Sequence, residues 1–391
     1  MEHQKTIFIA CGEASGDYLG AALMRELTRR HPTVRFVGIG GPLMKEAGLD
    51  HSLFPMDDLS IMGITGIFGK LFSLIKNLRS TRRFILNTKP DLVITIDASA
   101  FYHRLAKSVK TRDPSIPWIH YNAPAVWASR PKRAARIAKF LDHLLCLLPF
   151  EPPYFTRHGL KATFVGHPLV EEVIDNAPPL KVEGTPITIL FGSRSAEIKL
   201  LTEPFLQACK HLQSDYPDLH LLIPTFEHYK PHIKEQLVDH TIPYTFIEPS
   251  QKHAALTVSR AALVASGTVA LEVARAGTPF VVGYKLSWLS YQIAKRIVIT
   301  PYVCLINILL KKPLVAECLQ HACNAEVLCA EMKKLLILNE KEKKNLEKDL
   351  HAAFNMLKSP RGNATSMVVD IVENYIEKKL EKQGGDGVCI V

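Results

Sequence analysis

Asp97 stands where the apolar run DLVITI (91–96) stops. Open α/β sheets bind and transform their ligands at the carboxyl ends of the strands, so a carboxylate at that edge is the chain's best candidate for a general base. An Asp at a strand end also serves as a loop or helix-capping residue. The residues around it have to separate the two readings.

Two other loops carry the residue types that hold a nucleotide. In FGSRSAEI (191–198), Gly192 and Ser193 close a strand and a helix opens from Ala196 onward, leaving backbone N–H groups that suit a phosphate. Arg194 adds a guanidinium that can fork onto phosphate oxygens. In VASGTVALE (264–272), Ser266, Gly267 and Thr268 again separate a strand from a helix, and Glu272 one turn inside can accept both hydroxyls of a ribose. Either loop alone is also an ordinary turn with an N-cap. Two of them in one half of the chain favour a nucleotide.

No pair of aspartates in a D-x-D arrangement closes a strand, Asp57 and Asp58 being adjacent, so no metal ion is expected to neutralise a leaving diphosphate. Helix N-termini and Arg194 would carry that charge, and no cofactor is expected. The eight cysteines form no CxxC pair and have no ordered His partner, and they read as reduced packing thiols.

The segment 59–84 is unlike the rest. Ile64, Phe68, Leu71, Ile75 and Leu78 share a helical face, Phe72 lies beside them, and Lys70, Lys76, Arg79, Arg82 and Arg83 supply positive charge. The stripe is either a core-facing helix with a solvated back or an interfacial helix that meets acyl chains and anionic headgroups.

The elements that must position these groups alternate in type. TIFIA (6–10) runs into the glycine loop GEASGD (12–17), after which Leu19, Leu23 and Leu27 recur at helical spacing. Strand-like runs follow at 34–39, 91–96, 118–121 and 143–148, and the alternation restarts at 188–191 and continues at 219–224, 244–247, 262–265 and 280–283. Such alternation implies parallel, doubly wound sheets. The turn to Pro, Glu and Asp after VGHP (165–168) marks a boundary.

The expected fold class is therefore α/β, with two doubly wound Rossmann-like domains at 1–175 and 186–358 and a cleft between them. A C-terminal helix within 359–382 returns to an N-terminal domain, and 383–391 is expected to be a disordered tail. GEASGD has GxxxG spacing where a dinucleotide fingerprint has GxGxxG. Its expected role is to face the diphosphate and the acceptor from across the cleft, with Gly12, Glu13 and Ser15 as the contacts.

At 391 residues and 47% hydrophobic, the chain can bury two cores. Its longest apolar stretch, 297–310, is interrupted by Pro301 and falls short of the ~18 residues of a membrane span. The N-terminal apolar run has no cleavage site, so a cytoplasmic protein is expected. A net charge of +10 favours an anionic partner. The basic residues are spread over helices without an aromatic–basic module, which argues against nucleic acid.

Taken in order, GEASGD, VGIGGP (37–42), IMGI (61–64), PDLVITID (90–97), HYNAPAVWA (120–128), LPFE (148–151), VGHP, GSRSAEI, ASGTVALE and YVCLINILL (302–310) make nearly the whole chain resemble the lipid-A-disaccharide synthases. The resemblance implies a glycosyltransferase of the GT-B type that joins UDP-2,3-diacylglucosamine to 2,3-diacylglucosamine 1-phosphate, releasing UDP and a β-1,6-linked disaccharide. Asp97 then matches the family's essential aspartate, the base for the acceptor 6-hydroxyl in an inverting displacement. Gly192, Ser193, Arg194, Ser266, Gly267, Thr268 and Glu272 match the donor side, and Asn307 and Gln320 match positions near the uridine diphosphate.

Both substrates carry acyl chains, which implies a peripheral protein on the cytoplasmic face of the inner membrane. A homodimer through the C-terminal helix is left open. The family continues its aspartate motif as IDxPDFN where this chain has IDASAFYHR, with Ser99, Ala100 and Tyr102 replacing Pro, Asp and Asn, so the acceptor edge is expected to be reshaped. The competing readings are another two-domain nucleotide-sugar enzyme, a peptidoglycan glycosyltransferase or a UDP-GlcNAc 2-epimerase, and a non-catalytic membrane-peripheral nucleotide or lipid binder.

Overall fold

The computed structural model describes residues 4–59, 66–172, 180–238 and 241–384, leaving aside the side chains of 66–71 and 378–384. The chain divides into two compact units, Met1–Glu171 with Leu357–Val391, and Glu172–Met356.

The first unit is built on seven parallel strands: β1 (Thr6–Cys11), β2 (Arg35–Ile39), β3 (Leu49–Ser52), β4 (Leu92–Ile96), β5 (Trp118–Tyr121), β6 (His143–Cys146) and β7 (Lys161–Phe164). Their order is β3-β2-β1-β4-β5-β6-β7. The central strands β4 and β5 are buried along their whole length, which is why LVITI and WIHY show no polar alternation. The order reverses between β1 and β4, the place where open sheets leave a crevice for a ligand. Because Cys11 pairs with Ile96 in register, Gly12 and Asp97 leave the sheet side by side.

The second unit repeats the plan with β8 (Thr185–Leu190), β9 (Leu219–Pro224), β10 (Tyr244–Ile247), β11 (Ala261–Ala265), β12 (Phe280–Tyr284) and β13 (Ala316–Leu319), parallel and in the order β10-β9-β8-β11-β12-β13. Here the order reverses between β8 and β11, with Leu190 paired to Val264. The two candidate nucleotide loops follow these two strands.

Apolar helix faces cover both sides of the first sheet. On one side Ile7, Ile9, Leu23 and Leu27 pack with Val368, Val369, Val372 and Ile376 of the helix Ala364–Gly384. That helix is clamped at its polar edge, where Arg30 Nη1 reaches Asp370 at 2.7 Å and Glu373 at 3.1 Å. The tail expected at 383–391 lies outside the described residues from 385 on. Seven cysteines are described, all buried and unpaired.

Three strands escape the sequence patterns: β3 (LDHS), β7 (KATF) and β13 (AECL). All are four-residue edge strands and none is wholly buried, so neither alternation nor an apolar run marks them.

Candidate active site

Asp97 sits one residue past β4 with φ of 56°, and Ala98 follows with φ of 35°. Asn122, one residue past the neighbouring β5, is left-handed too, with φ of 76°. Non-glycine residues in this region cost about 1–3 kcal/mol each and persist where the surroundings over-determine them, most often at functional sites. The strain turns the Asp97 carboxylate back over the sheet edge. There Ser15 Oγ donates to Oδ2 at 3.0 Å, and the Asn122 amide donates to Oδ1.

Asp97 is only 7% exposed, and burial raises its pKa above the ordinary value of 3.8, against the lowering effect of the bonds from Asn122 and Ser15. A raised value makes the carboxylate a stronger base, and two fixed donors aim it. Gly16 lies under the same carboxylate: a Cβ there would stand 3.0 Å from Oδ2 and 3.0 Å from Cys11 Cβ. Gly12 is buried, while Glu13, which N-caps the helix Ala14–Arg30, and Ser15 are exposed.

The substituted positions of IDASAFYHR turn mostly inward. Tyr102 is fully buried, with its hydroxyl donating to the Cys11 carbonyl at 2.6 Å, and Ser99 Oγ meets His120 Nε2 at 3.2 Å. Of the three, only Ala100 is exposed.

In the second unit Gly192, Ser193, Arg194, Ser266, Gly267, Thr268 and Glu272 line one recess of about 240 Å³. The helix Ser195–Gln213 opens with a capping box in which Glu197 Oε2 accepts from the Ser193 and Arg194 N–H groups, both at 3.3 Å, while Arg194 Nη1 pairs with Glu197 Oε1 at 2.9 Å. Those two N–H groups are thus already held, loosely, and Arg194 is anchored at the rim. Gly192 is required here: its φ is 103°, and a Cβ would lie 2.5 Å from Glu197 Oε2. Glu272 is ion-paired with Lys252 across the recess.

Asn307 lies beneath this recess. It is 1% exposed, with Nδ2 donating to the Val315 carbonyl and to Glu317 Oε1, both at 2.8 Å, and Oδ1 accepting from Val315 N at 2.9 Å. Glu317 in turn accepts from the Val303 and Cys304 N–H groups at 3.0 Å, and the Val303 carbonyl accepts from Ser266 Oγ at 3.2 Å. Asn307 therefore reaches the recess through this chain of bonds. Gln320, at φ of 52°, opens the turn after β13.

A model of the family described as Lipid-A-disaccharide synthetase matches residues 7–372. The chain is 42% identical over 342 residues to the lipid-A-disaccharide synthase of Rhodospirillum centenum, covering 84% of each. The chain belongs to the lipid-A-disaccharide synthetase family.

Members of this family are glycosyltransferases. Two solved structures share the fold of this chain with little sequence in common. The S. aureus MnaA–UDP co-structure matches with a TM-score of 0.62 at 14% identity, covering 95% of this chain and 97% of the other. The calicheamicin glycosyltransferase CalG4 matches with a TM-score of 0.55 at 15% identity, covering 96% and 99%. The fold is GT-B-like, two doubly wound parallel-sheet domains.

The remaining expectations concern the basic apolar segment 59–84. Ile64 lies outside the described residues, as do the side chains of Phe68, Lys70 and Leu71. Farther along the helix Gly66–Thr88, the stripe divides: Leu74 and Leu78 pack on the core, whereas Phe72 is 84% exposed and Ile75 and Lys76 face outward. No described helix is long and apolar enough to cross a membrane.

Further features lie outside the residues singled out from the sequence. Asn122 and Lys252 reach their carboxylates only through the sheet order. The helix Trp288–Ile297 buries none of its residues and leaves Trp288 75% exposed, with Leu289, Ile293 and Ile299 also open. Its signal was available: from 273 to 316 there is no Asp or Glu, and Lys285, Lys295 and Arg296 stand among the apolar residues.

Proposed function

We propose that the protein transfers 2,3-diacylglucosamine from UDP-2,3-diacylglucosamine to the 6-hydroxyl of 2,3-diacylglucosamine 1-phosphate. The observation that carries this reading is the Asp97 carboxylate, buried, raised in pKa and aimed by Ser15 and Asn122 at the switch point of a parallel sheet. As base it takes the proton of the acceptor hydroxyl while that oxygen bonds to the donor's anomeric carbon. The bond to the diphosphate breaks, UDP leaves, and the centre inverts.

The first unit serves the acceptor and the membrane, and the second the UDP-sugar. Arg194, the Ser193 hydroxyl and the N–H groups of Gly192, Gly267 and Thr268 take the diphosphate, Glu272 the ribose, and Gln320 the region of the uridine diphosphate, with Asn307 fixing the loop below. Gly12, Glu13 and Ser15 contact the acceptor side.

Exposed Phe72 and Ile75 beside Lys76, together with exposed Trp288 in the acid-free stretch 273–316, support peripheral binding to the cytoplasmic face of the inner membrane, where both acylated substrates reside. A homodimer exchanging the C-terminal helix would reuse the contacts that Arg30 and Val368 already make within the chain.

The test is direct. Purified protein given both substrates in detergent micelles releases UDP and forms the disaccharide, read by mass spectrometry; no turnover overturns the reading. Asp97→Asn lowers turnover by about 10²–10⁴-fold with UDP affinity kept, because a base acts in the transition state more than in donor binding.

A further inference from the structure

On the segments that follow β4 and β5 stand four arginines that make no ion pair with a carboxylate among the described residues. Arg104 stands in the second turn of the helix Ser99–Lys110, Arg130 in the loop after β5, and Arg133 and Arg136 on the helix Lys132–Ile137. Arg104 Nη1 donates to the Ala100 carbonyl at 2.7 Å. The side chains of Arg130, Arg133 and Arg136 have no hydrogen bond or ion pair among the described residues. Arg133 is partly buried, and its charge is disfavoured first by that burial and then by Arg130, Arg104 and Arg136. Arg130 also adopts a left-handed backbone, with φ of 53°.

The groups beneath them offer no compensating charge. His103, 8% exposed, has a buried Nε2 without a partner among the described residues, and its ring lies 4.6 Å from that of His120. His120 meets Thr95 Oγ1 at 2.9 Å through Nδ1 and Ser99 Oγ at 3.2 Å through Nε2. Burial, with like charge from Arg133 adding to it, holds both imidazoles neutral, taking His103 to about 2 and His120 to about 3. The result is a cluster of cations next to an unsatisfied buried nitrogen, with no anion of the protein's own among the described residues. Arg104, Arg130 and Arg136 are exposed, so the cost falls on the partly buried Arg133, whose charge a ligand's anion would offset.

Its position identifies the ligand. The helix bearing Arg104 begins two residues after Asp97, and the loop bearing Arg130 begins at Asn122, which is bonded to Asp97. The cluster therefore lies along the same carboxyl edge of the first sheet as the base. We propose that Arg104, Arg130, Arg133 and Arg136 form the subsite for the phosphomonoester of the acceptor sugar. This rests on the transferase reading and adds how the acceptor is recognised. A phosphomonoester brings nearly two negative charges and three acceptor oxygens, which guanidinium forks match better than any neutral sugar group. The subsite also distinguishes acceptor from donor, two sugars that otherwise carry the same acyl substituents.

The test compares two acceptors, 2,3-diacylglucosamine 1-phosphate and the same sugar without the phosphate, with the full chain in neutral detergent. Wild type is expected to favour the phosphorylated acceptor strongly in kcat/KM. Arg133→Ala, and the surface variants Arg130→Gln and Arg136→Gln, should each reduce that preference by about 10- to 100-fold, mostly through the acceptor KM, since a charge-assisted hydrogen bond is worth about 1.5–3 kcal/mol. Arg133→Lys should recover part of the preference, and UDP affinity should stay unchanged. An equal loss on both acceptors in all three variants overturns the subsite. So does a loss that appears only on anionic vesicles while the detergent rates are intact, which would assign the cluster to lipid headgroups. Wild type that transfers to neither acceptor overturns the transferase reading itself.

Discussion

Ser15 Oγ and Asp97 Oδ2 lie 3.0 Å apart although 82 positions separate them in the chain. The contact exists because β1 and β4 are neighbours in register, so that the loop opening one helix caps the carboxylate that ends the other strand. It ties the glycine loop to the Asp97 carboxylate directly and gives GEASGD a task within its own unit.

Asn122 is the second donor to this carboxylate, and its bond lowers the Asp97 pKa. Asn122→Gly removes the donor while glycine tolerates the φ of 76°. The Asp97 pKa should rise further, and a base works only when ionised. The acid limb of the kcat/KM profile is therefore expected to move to higher pH, with the plateau at high pH less affected. An unmoved limb would remove Asp97 from the titration that limits the rate.

Gly16 lies within the helix Ala14–Arg30, where alanine would ordinarily stabilise by roughly 0.5–1 kcal/mol. A Cβ here meets Asp97 Oδ2 and Cys11 Cβ, both at 3.0 Å. Gly16→Ala should instead cost about 1–3 kcal/mol by overpacking and displace the base, lowering kcat along with the urea midpoint. A more stable and fully active variant would contradict the packing described.

Glu151 accepts from Leu148 N at 3.1 Å and Trp127 Nε1 at 3.2 Å, yet burial raises its pKa from 4.5 to about 7. The folded state thus holds this proton more tightly than the unfolded chain does. The stability it lends is complete below the unfolded value and is lost as the pH rises through about 7, amounting to about 3 kcal/mol. Glu151→Gln should flatten the decline in urea midpoint across that range. A decline as steep as in wild type would assign it to another group.

Phe72 and Ile75 stand outward from the helix Gly66–Thr88 beside Lys76. Replacing both with Ser should reduce co-sedimentation with anionic vesicles several-fold while leaving the thermal midpoint near its wild-type value, because little buried area is removed. Unchanged sedimentation would leave the surface around Trp288 as the lipid contact.

The sequence by itself determined the elements that local pattern encodes. Unbroken apolar runs gave the central strands, Gly-Ser-Arg and Ser-Gly-Thr marked strand ends that open helices, and Asp97 was visible because DLVITI stops at it. Local pattern carries no record of which strands become neighbours. That order decided that Asn122 and Ser15 hold Asp97, that Lys252 pairs with Glu272, that Asn307 turns under the donor recess to Glu317, and that four arginines converge without a carboxylate. It also decided the fate of Leu78 and Ile75, which share a stripe in the sequence but divide between core and solvent, because the width of the buried strip is set by what the helix packs against. The short edge strands β3, β7 and β13 were invisible for a related reason. Their stability comes from hydrogen bonds to an already formed sheet, and their side chains need carry no pattern of their own.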